Sequence, residues 1–336
     1  MKKFIKKVTA VALAGVLTAT AFAGCSKTDA EKNGPTPAKT SYKIGICQLV
    51  QHEALDAATK GFMDKLNELG AANNITFEFD SQNASGEATN CTTIVSGFVS
   101  NNVDLIMANA TDAMAAASQA TADIPIVATS ITDYATALGI SDWNGKTGFN
   151  VTGSSDLAPL KEQAAMIKEL CPDAKTVGIL YCSAEKNSKY QSDVIQQSLS
   201  ELGITCKEYT FVDTNDVSAV TQQIVSDKCD AVFTPTDNTA ASNTEAINNI
   251  LEPAKIPVIA GEEGICKGCG IATLSISYYS IGQAAGQMAY DILVNGQNPG
   301  DMEIQYAQEL TKKYMPERAE AIGITIPDGY EAIVAE

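Results

Sequence analysis

Short apolar runs alternate with amphipathic stretches along most of the chain. Runs rich in Val and Ile are typical of buried strands, and apolar residues recurring every third or fourth position predict helices. Nine strands are predicted, at residues 43–49, 75–79, 104–108, 125–128, 176–181, 205–211, 230–234, 257–260 and 271–276. Seven helices are predicted between them, at residues 53–69, 87–100, 112–120, 160–170, 188–202, 218–226 and 240–251. This alternation favours βαβ units, so the predicted fold class is α/β with mostly parallel sheets.

The same series of motifs occurs twice, in the same order. The segments of the first half are Lys43-Ile44-Gly45-Ile46, Asp104-Leu105-Ile106-Met107, Thr111-Asp112 and Ile124-Pro125-Ile126. Their counterparts are Thr176-Val177-Gly178-Ile179, Asp230-Ala231-Val232-Phe233, Thr236-Asp237 and Ile256-Pro257-Val258. Internal repetition indicates repeated structure, so we predict two similar, doubly wound lobes joined around residues 152–159.

The repeated Thr-Asp pair follows a predicted strand and precedes a predicted helix in both halves. Asp112 and Asp237 therefore stand where helix N-caps are expected, and we predict that at least one of them caps its helix. Ligands of parallel α/β sheets bind outside the carboxyl ends of the strands. Two lobes with facing strand ends would form a cleft, lined by helix N-termini whose free N–H groups suit an anion.

The first residues have the pattern of an export signal. Lysines at positions 2, 3, 6 and 7 precede an apolar, small-residue run over residues 8–24, which ends directly before Cys25. We expect residues 1–24 to be a lipoprotein signal peptide and Cys25 to be the acylated, palmitate-bearing first residue of the mature chain; an ordinary secretory signal is the alternative. Residues 25–40 are polar and predict a flexible tether. The expected location is the extracytoplasmic face of the cell membrane, through a lipid anchor.

Charge and residue counts restrict the chemistry. The 336-residue chain has a net charge of −17, which argues against nucleic acid as a partner. Its single histidine, His52, leaves little for acid–base catalysis or for an imidazole metal centre. We therefore expect no enzyme, no metal and no cofactor, with a carboxylate-dependent hydrolase as the less favoured alternative.

Nine cysteines are present, and their positions differ in character. Cys47 and Cys182 lie in apolar runs, so we predict buried free thiols there. Cys266 and Cys269 lie in a glycine-rich segment that we predict to be a loop. They form either a disulfide or two free thiols.

Several motifs together resemble the ABC-transporter substrate-binding proteins of the tryptophan/tyrosine-type family, which have the type I periplasmic-binding-protein fold. The motifs are Gln51-His52-Glu53-Ala54-Leu55-Asp56, Asn150-Val151-Thr152-Gly153, Glu185-Lys186-Asn187-Ser188, Thr234-Pro235-Thr236-Asp237-Asn238 and Tyr278-Tyr279-Ser280-Ile281-Gly282. The resemblance implies a three-strand hinge, with residues 41–155 plus 278–294 in one lobe and residues 156–277 plus 295–336 in the other. It also implies a membrane permease as partner and a small molecule, often an aromatic amino acid, as ligand.

The predicted ligand contacts are short polar side chains at strand ends or helix starts of this fold. They are Thr111, Ser130, Asp133, Asn187, Ser188 and Asp237. We expect a zwitterionic or neutral ligand, with Asp237, or else Asp133, pairing with an ammonium group, because a buried unpaired charge is costly. Aromatic side chains that could stack on the ligand are Tyr134, Trp143, Tyr190, Tyr278 and Tyr279. A sugar- or nucleoside-type binding protein of the same fold is the alternative.

Overall fold

The computed structural model describes residues 39–334, which form two lobes, each built around one β-sheet. The strands are β1 (Ser41–Gln48), β2 (Thr76–Asn83), β3 (Leu105–Asn109), β4 (Ile126–Ile131), β5 (Val151–Ser155), β6 (Thr176–Cys182), β7 (Thr205–Phe211), β8 (Ala231–Thr234), β9 (Val258–Ala260), β10 (Ala272–Ser275), β11 (Gln305–Tyr306), β12 (Thr311–Tyr314) and β13 (Glu331–Ala332). The helices are α1 (Glu53–Asn73), α2 (Ala88–Ser100), α3 (Thr111–Ala120), α4 (Tyr134–Leu138), α5 (Leu160–Leu170), α6 (Lys186–Glu201), α7 (Val217–Ser226), α8 (Asn238–Ala241), α9 (Thr244–Leu251), α10 (Glu263–Cys269), α11 (Tyr278–Leu293) and α12 (Pro316–Ile322).

The two sheets repeat one topology. The first has the strand order β2-β1-β3-β4-β5-β11, and the second has β7-β6-β8-β9-β10-β12-β13. The strands of the described pairs run parallel, except that β12 is antiparallel to β10. In each sheet the strand order reverses at the first strand of the lobe, since β1 lies between β2 and β3, and β6 lies between β7 and β8. This is the doubly wound arrangement. The prediction of two doubly wound, mostly parallel lobes is confirmed.

Each sheet is covered on both faces by apolar side chains. In the first lobe, one cluster contains Phe98 of α2 and Met114 of α3, and the opposite cluster contains Phe62 of α1 and Met288 of α11. Burial on both faces explains why the strands read as nearly continuous apolar runs. The second lobe is built the same way, with α5 and α6 on one face and α7, α9 and α10 on the other.

Helices α1 and α11 pack backbone against backbone through glycines. A Cβ atom at Gly61 would lie 2.1 Å from the carbonyl oxygen of Tyr279, and one at Gly282 would lie 2.1 Å from that of Ala58. Neither position can hold a side chain without moving a helix. The start of α11 is thereby fixed against α1 in the first lobe.

The chain crosses between the lobes three times, after β5, after β10 and after β11. The predicted boundary of the last segment is wrong for residues 295–306. The resemblance implies the second lobe for them, but β11 pairs with β5 and Ile304 packs in the core of the first lobe. Residues 151–155 form a buried strand of the first sheet, so the first crossing starts only at Asp156.

The glycine-rich segment with the two cysteines is a helix, α10, and the prediction of a loop there was wrong. Its glycine at position 268 allows α10 to lie against α9, since a Cβ atom there would be 2.1 Å from Thr244 Oγ1. Cys266 and Cys269 are buried on this helix as free thiols. The buried free thiols predicted at Cys47 and Cys182 are confirmed.

The predicted signal peptide and Cys25 lie outside residues 39–334, as does the predicted tether apart from Lys39 and Thr40. Within the described residues, the helices are too short or too polar to span a bilayer.

Candidate ligand-binding site

A narrow cavity of about 10 Å³, or about 270 Å³ with the open space at its mouth, lies where the carboxyl ends of the two sheets face each other. Its lining comes from both lobes and from the first crossing. The polar members are His52, Ser130 and Tyr278 from the first lobe, Asp156 from the crossing, and Asn187, Thr236, Asp237, Asn238 and Glu262 from the second lobe. Among the described residues, no lysine or arginine lines it. The cavity is therefore acidic.

Asp156 is a buried carboxylate on the crossing between β5 and α5. Its Oδ2 accepts a hydrogen bond of 2.8 Å from the hydroxyl of Tyr278, and its Oδ1 accepts one of 3.1 Å from Thr132. Burial raises the pKa of Asp156 to about 6, and the two hydroxyl donors oppose this shift. A carboxylate can accept about four hydrogen bonds, so Asp156 keeps acceptor capacity for a ligand.

Thr132 also connects the lobes. Its Oγ1 lies 3.4 Å from Thr236 Oγ1 and accepts a hydrogen bond of 3.4 Å from Gln191 Nε2, which donates a shorter bond of 2.6 Å to Thr236. Thr132 follows β4 in the first lobe, whereas Gln191 and Thr236 belong to the second. The lobes therefore contact each other directly beside Asp156.

Asp237 caps α8, and all its described hydrogen bonds are internal to the second lobe. Its Oδ1 accepts from the backbone N–H of Ala240, and its Oδ2 accepts from the backbone N–H of Cys182 and the hydroxyl of Ser188, all at 2.7 Å. Burial and the nearby Glu185 raise the pKa of Asp237, while these donors oppose the rise. The prediction that one repeated Asp is an N-cap is confirmed at Asp237.

Two further carboxylates at this end of the second lobe also cap helices. Glu185 accepts hydrogen bonds from the backbone N–H groups of Asn238 and Thr239. Glu262 accepts from Gly264 N at 2.6 Å and from Ile265 N, and its burial raises its pKa to about 7. These groups position α8 and α10 at the cavity. Unlike them, Asp156 caps no helix, and its side-chain partners are the hydroxyls of Tyr278 and Thr132.

Ser130 reaches the cavity through a β-bulge. Ala128 pairs with Gly153 and Ile131 pairs with Ser155, so Thr129 and Ser130 face Ser154 alone. Ser130 takes a φ of 58°, an uncommon value for a serine, and Gly153 allows β4 to approach closely, since a Cβ atom there would lie 1.8 Å from the Ala128 carbonyl oxygen. The Ser130 hydroxyl is buried without a hydrogen-bond partner among the described residues. Strain and an unpaired hydroxyl at one residue point to a functional position.

The six predicted contact residues do not all reach this cavity. Ser130, Asn187 and Asp237 line it, and Ser188 lies behind Asp237. Thr111 is buried at the start of α3, and Asp133 caps α4 by accepting from Thr136 N at 2.7 Å; neither lines the cavity. The asparagine Asn187 donates to the backbone oxygen of Thr236, which joins α6 to the loop before α8.

Of the five aromatic candidates, Tyr278 lines the cavity. Tyr134 is buried within the first lobe, with its hydroxyl donating to the Ala128 carbonyl, and Tyr279 donates to Asp64. Trp143 packs against the core of the first lobe, and Tyr190 against that of the second. Sequence reasoning missed Asp156, for which the available signal was its position three residues after the end of the Asn-Val-Thr-Gly motif.

His52 stands at the N-cap position of α1 but makes no capping hydrogen bond. Its Nε2 lies 3.2 Å from Asn238 Oδ1 across the cleft, whereas its Nδ1 is buried without a partner among the described residues. Burial lowers the pKa of His52, so the neutral imidazole is favoured. Beside it, Lys267 of α10 pairs with Glu53 of α1, which adds a second contact between the lobes.

Comparisons with known proteins agree on one family. The sequence model of the family described as ABC transporter substrate binding protein matches residues 43–334. The chain is 34% identical over 308 residues to a tyrosine-binding protein of Clostridioides difficile strain R20291, covering 90% of this chain and 88% of that protein.

Two solved structures are also similar. One is an ABC domain from Streptococcus pneumonia in complex with L-Trp, with a TM-score of 0.82 and 31% identity over 87% of this chain and all of that one. The other is the ligand-free, open structure of a substrate-binding protein with adhesive properties from Clostridium difficile, with a TM-score of 0.67 and 34% identity over 88% of this chain and all of that one. The whole chain therefore superposes better on the L-Trp complex than on the open structure.

Proposed function

Because the chain belongs to the family of ABC transporter substrate-binding proteins, with the type I periplasmic-binding-protein fold, we propose that it binds a free aromatic amino acid between its lobes. The observation that carries this proposal is Asp156, a buried carboxylate in the cavity with spare acceptor capacity and no basic side chain lining the same space. An ammonium group would neutralise it and complete its hydrogen bonds.

The other end of an amino acid needs hydrogen-bond donors. Ser130 supplies a buried hydroxyl without an internal partner, in a position held by the bulge in β4. Such a donor suits the ligand carboxylate. The ring of Tyr278, whose hydroxyl is fixed on Asp156, offers an apolar surface to the ligand side chain. The names of the relatives, one a tyrosine-binding protein and one in complex with L-Trp, support an aromatic side chain.

Calorimetric titration of the wild-type protein with L-tyrosine, L-tryptophan, L-phenylalanine and N-acetyl-L-tyrosine tests this proposal. We expect binding of free aromatic amino acids and a loss of affinity of about 100-fold or more for the N-acetyl compound, which has no ammonium group to pair with Asp156. Equal affinity for the free and acetylated forms would show that no carboxylate recognises an ammonium group. Sugars and nucleosides serve as the comparison ligands, and binding of these alone would contradict the proposal.

We further propose that the protein acts by binding and release, without catalysis, and that Cys25 anchors it by a lipid to the outer face of the membrane. The order of basic, apolar and small residues before Cys25 supports the anchor. The native chain is expected in the membrane fraction, with Cys25 as its acylated first residue, whereas a Cys25→Ser chain is expected to lose the anchor and keep its ligand affinity. An unmodified N-terminus at another residue, found by mass spectrometry of native protein, would contradict this.

A further inference from the structure

We propose that His52 determines which aromatic amino acid is preferred, by accepting a hydrogen bond at Nδ1 from a donor on the ligand side chain, such as the phenolic hydroxyl of tyrosine. This inference rests on the function proposed above and goes beyond it. It predicts that tyrosine is bound more tightly than phenylalanine.

The first step is that Asn238 has a fixed orientation. Its Nδ2 donates a hydrogen bond of 2.7 Å to Glu185 Oε2, and its backbone N–H donates to the same oxygen at 2.9 Å. A flipped amide would place Oδ1 against that carboxylate oxygen, which is repulsive because neither atom carries a proton to share. Oδ1 is therefore the atom that faces His52.

The second step is that this orientation fixes the tautomer of His52. An amide oxygen only accepts, so the Nε2 atom that lies 3.2 Å from Asn238 Oδ1 carries the proton. The imidazole is neutral, since burial lowers its pKa. Its Nδ1 is then a bare acceptor and cannot donate to a ligand.

The third step is that nothing described within the protein uses this acceptor. Nδ1 is buried without a partner, although His52 stands at an N-cap position, where a side-chain acceptor ordinarily binds the first N–H groups of the helix. Leaving a buried acceptor unpaired is unfavourable. His52 lines the same narrow cavity as Asp156, so a ligand that enters between the lobes would lie beside both residues.

Calorimetric titration with L-tyrosine and L-phenylalanine, on the wild type and on His52→Leu, tests the inference. We expect the wild type to prefer tyrosine by about 10- to 100-fold, because phenylalanine would leave Nδ1 unpaired. In His52→Leu the preference should fall to within about threefold, with phenylalanine affinity kept or improved. Retained phenylalanine binding by the variant also shows that its site is folded.

A second measurement needs no variant. His52 is the only histidine of the chain, so a protein made without a histidine tag gives one set of imidazole ¹⁵N signals. We expect a protonated Nε2 and a bare Nδ1 in the free protein, with the Nδ1 signal moving upfield on addition of tyrosine and staying in place with phenylalanine.

The outcomes separate the two proposals. If no aromatic amino acid binds the wild type, the proposed function fails. If tyrosine and phenylalanine bind and His52→Leu weakens both by the same factor, His52 recognises the common ammonium group or only supports the fold, and the inference on selectivity is overturned while the proposed function stands. A protonated Nδ1 in the tyrosine complex would likewise overturn it.

Discussion

Asparagine at position 156 is expected to lower the affinity for an aromatic amino acid by about 100-fold or more. The substitution keeps the size of the side chain and an acceptor for the hydroxyl of Tyr278, but it removes the charge that faces the ligand ammonium. An ammonium left without its partner in a buried site loses most of its interaction energy. Calorimetric titration of Asp156→Asn against the wild type measures the loss.

Affinity should also depend on pH through the same group. Burial holds the pKa of Asp156 near 6 in the free protein, and pairing with an ammonium requires the ionised form. Through Asp156, affinity is therefore expected to fall by up to about tenfold per pH unit below about pH 6. Asp156→Asn should be far less dependent on pH over this range.

Asp133→Asn is the matched control, since Asp133 is the acidic candidate that the structure places outside the cavity. Asparagine caps helices as well as aspartate does, so α4 should keep its cap and the affinity should change by less than about threefold. A large loss in Asp133→Asn together with normal binding by Asp156→Asn would move the ammonium site to Asp133.

Alanine in place of Asp237 is expected to destabilise the free protein by roughly 3–5 kcal/mol, lowering the melting temperature by about 10 °C. The change leaves three buried donors, on Cys182, Ser188 and Ala240, without their acceptor. Thermal unfolding without ligand measures it.

Asp112→Ala is the matched control for Asp237→Ala. The two residues occupy equivalent positions of the repeated Thr-Asp motif, but Asp112 is the second residue of α3 and does not cap it. Its removal should shift the melting temperature by less than about 2 °C. Equal effects of the two substitutions, or no loss of stability in Asp237→Ala, would show that the capping contacts contribute little to the stability of the free protein. Asp237 would then be better explained as a ligand contact.

Much of the fold follows from local pattern. Strands such as β7 and helices such as α5 have the predicted bounds, because apolar periodicity is set by burial on each face. The short elements β11 and α10 were missed for different reasons. Strand β11 forms by pairing with the edge of β5, which is far away in the chain. Helix α10 contains glycines, which usually disfavour a helix, because one of them allows close packing against α9. Such reasons are tertiary and leave little trace in the local sequence.

The site was predictable only as a region. Strand ends and helix starts led to Ser130, Asn187 and Asp237, which do line the cavity. Asp156 is one of 40 acidic residues, and what distinguishes it is a hydroxyl supplied from 122 residues further along the chain. The unpaired acceptor of His52 is its Nδ1 atom, and its state depends on how the side-chain amide of Asn238 is oriented in the opposite lobe. Contacts of this kind join residues that are far apart in the chain, so no motif of fixed spacing in the sequence indicates them.

The close contact between α1 and α11 at Gly61 and Gly282 affects when the first lobe can finish folding during synthesis. Helix α1 packs on the first sheet, but its glycine face stays uncovered until α11 has been synthesised, and α11 follows the whole stretch from α5 to β10 in the chain. The second lobe, by contrast, receives β6 to β10 in one continuous stretch. The first lobe therefore stays incomplete until α11 and β11 have been made, although its first five strands are translated before the second lobe.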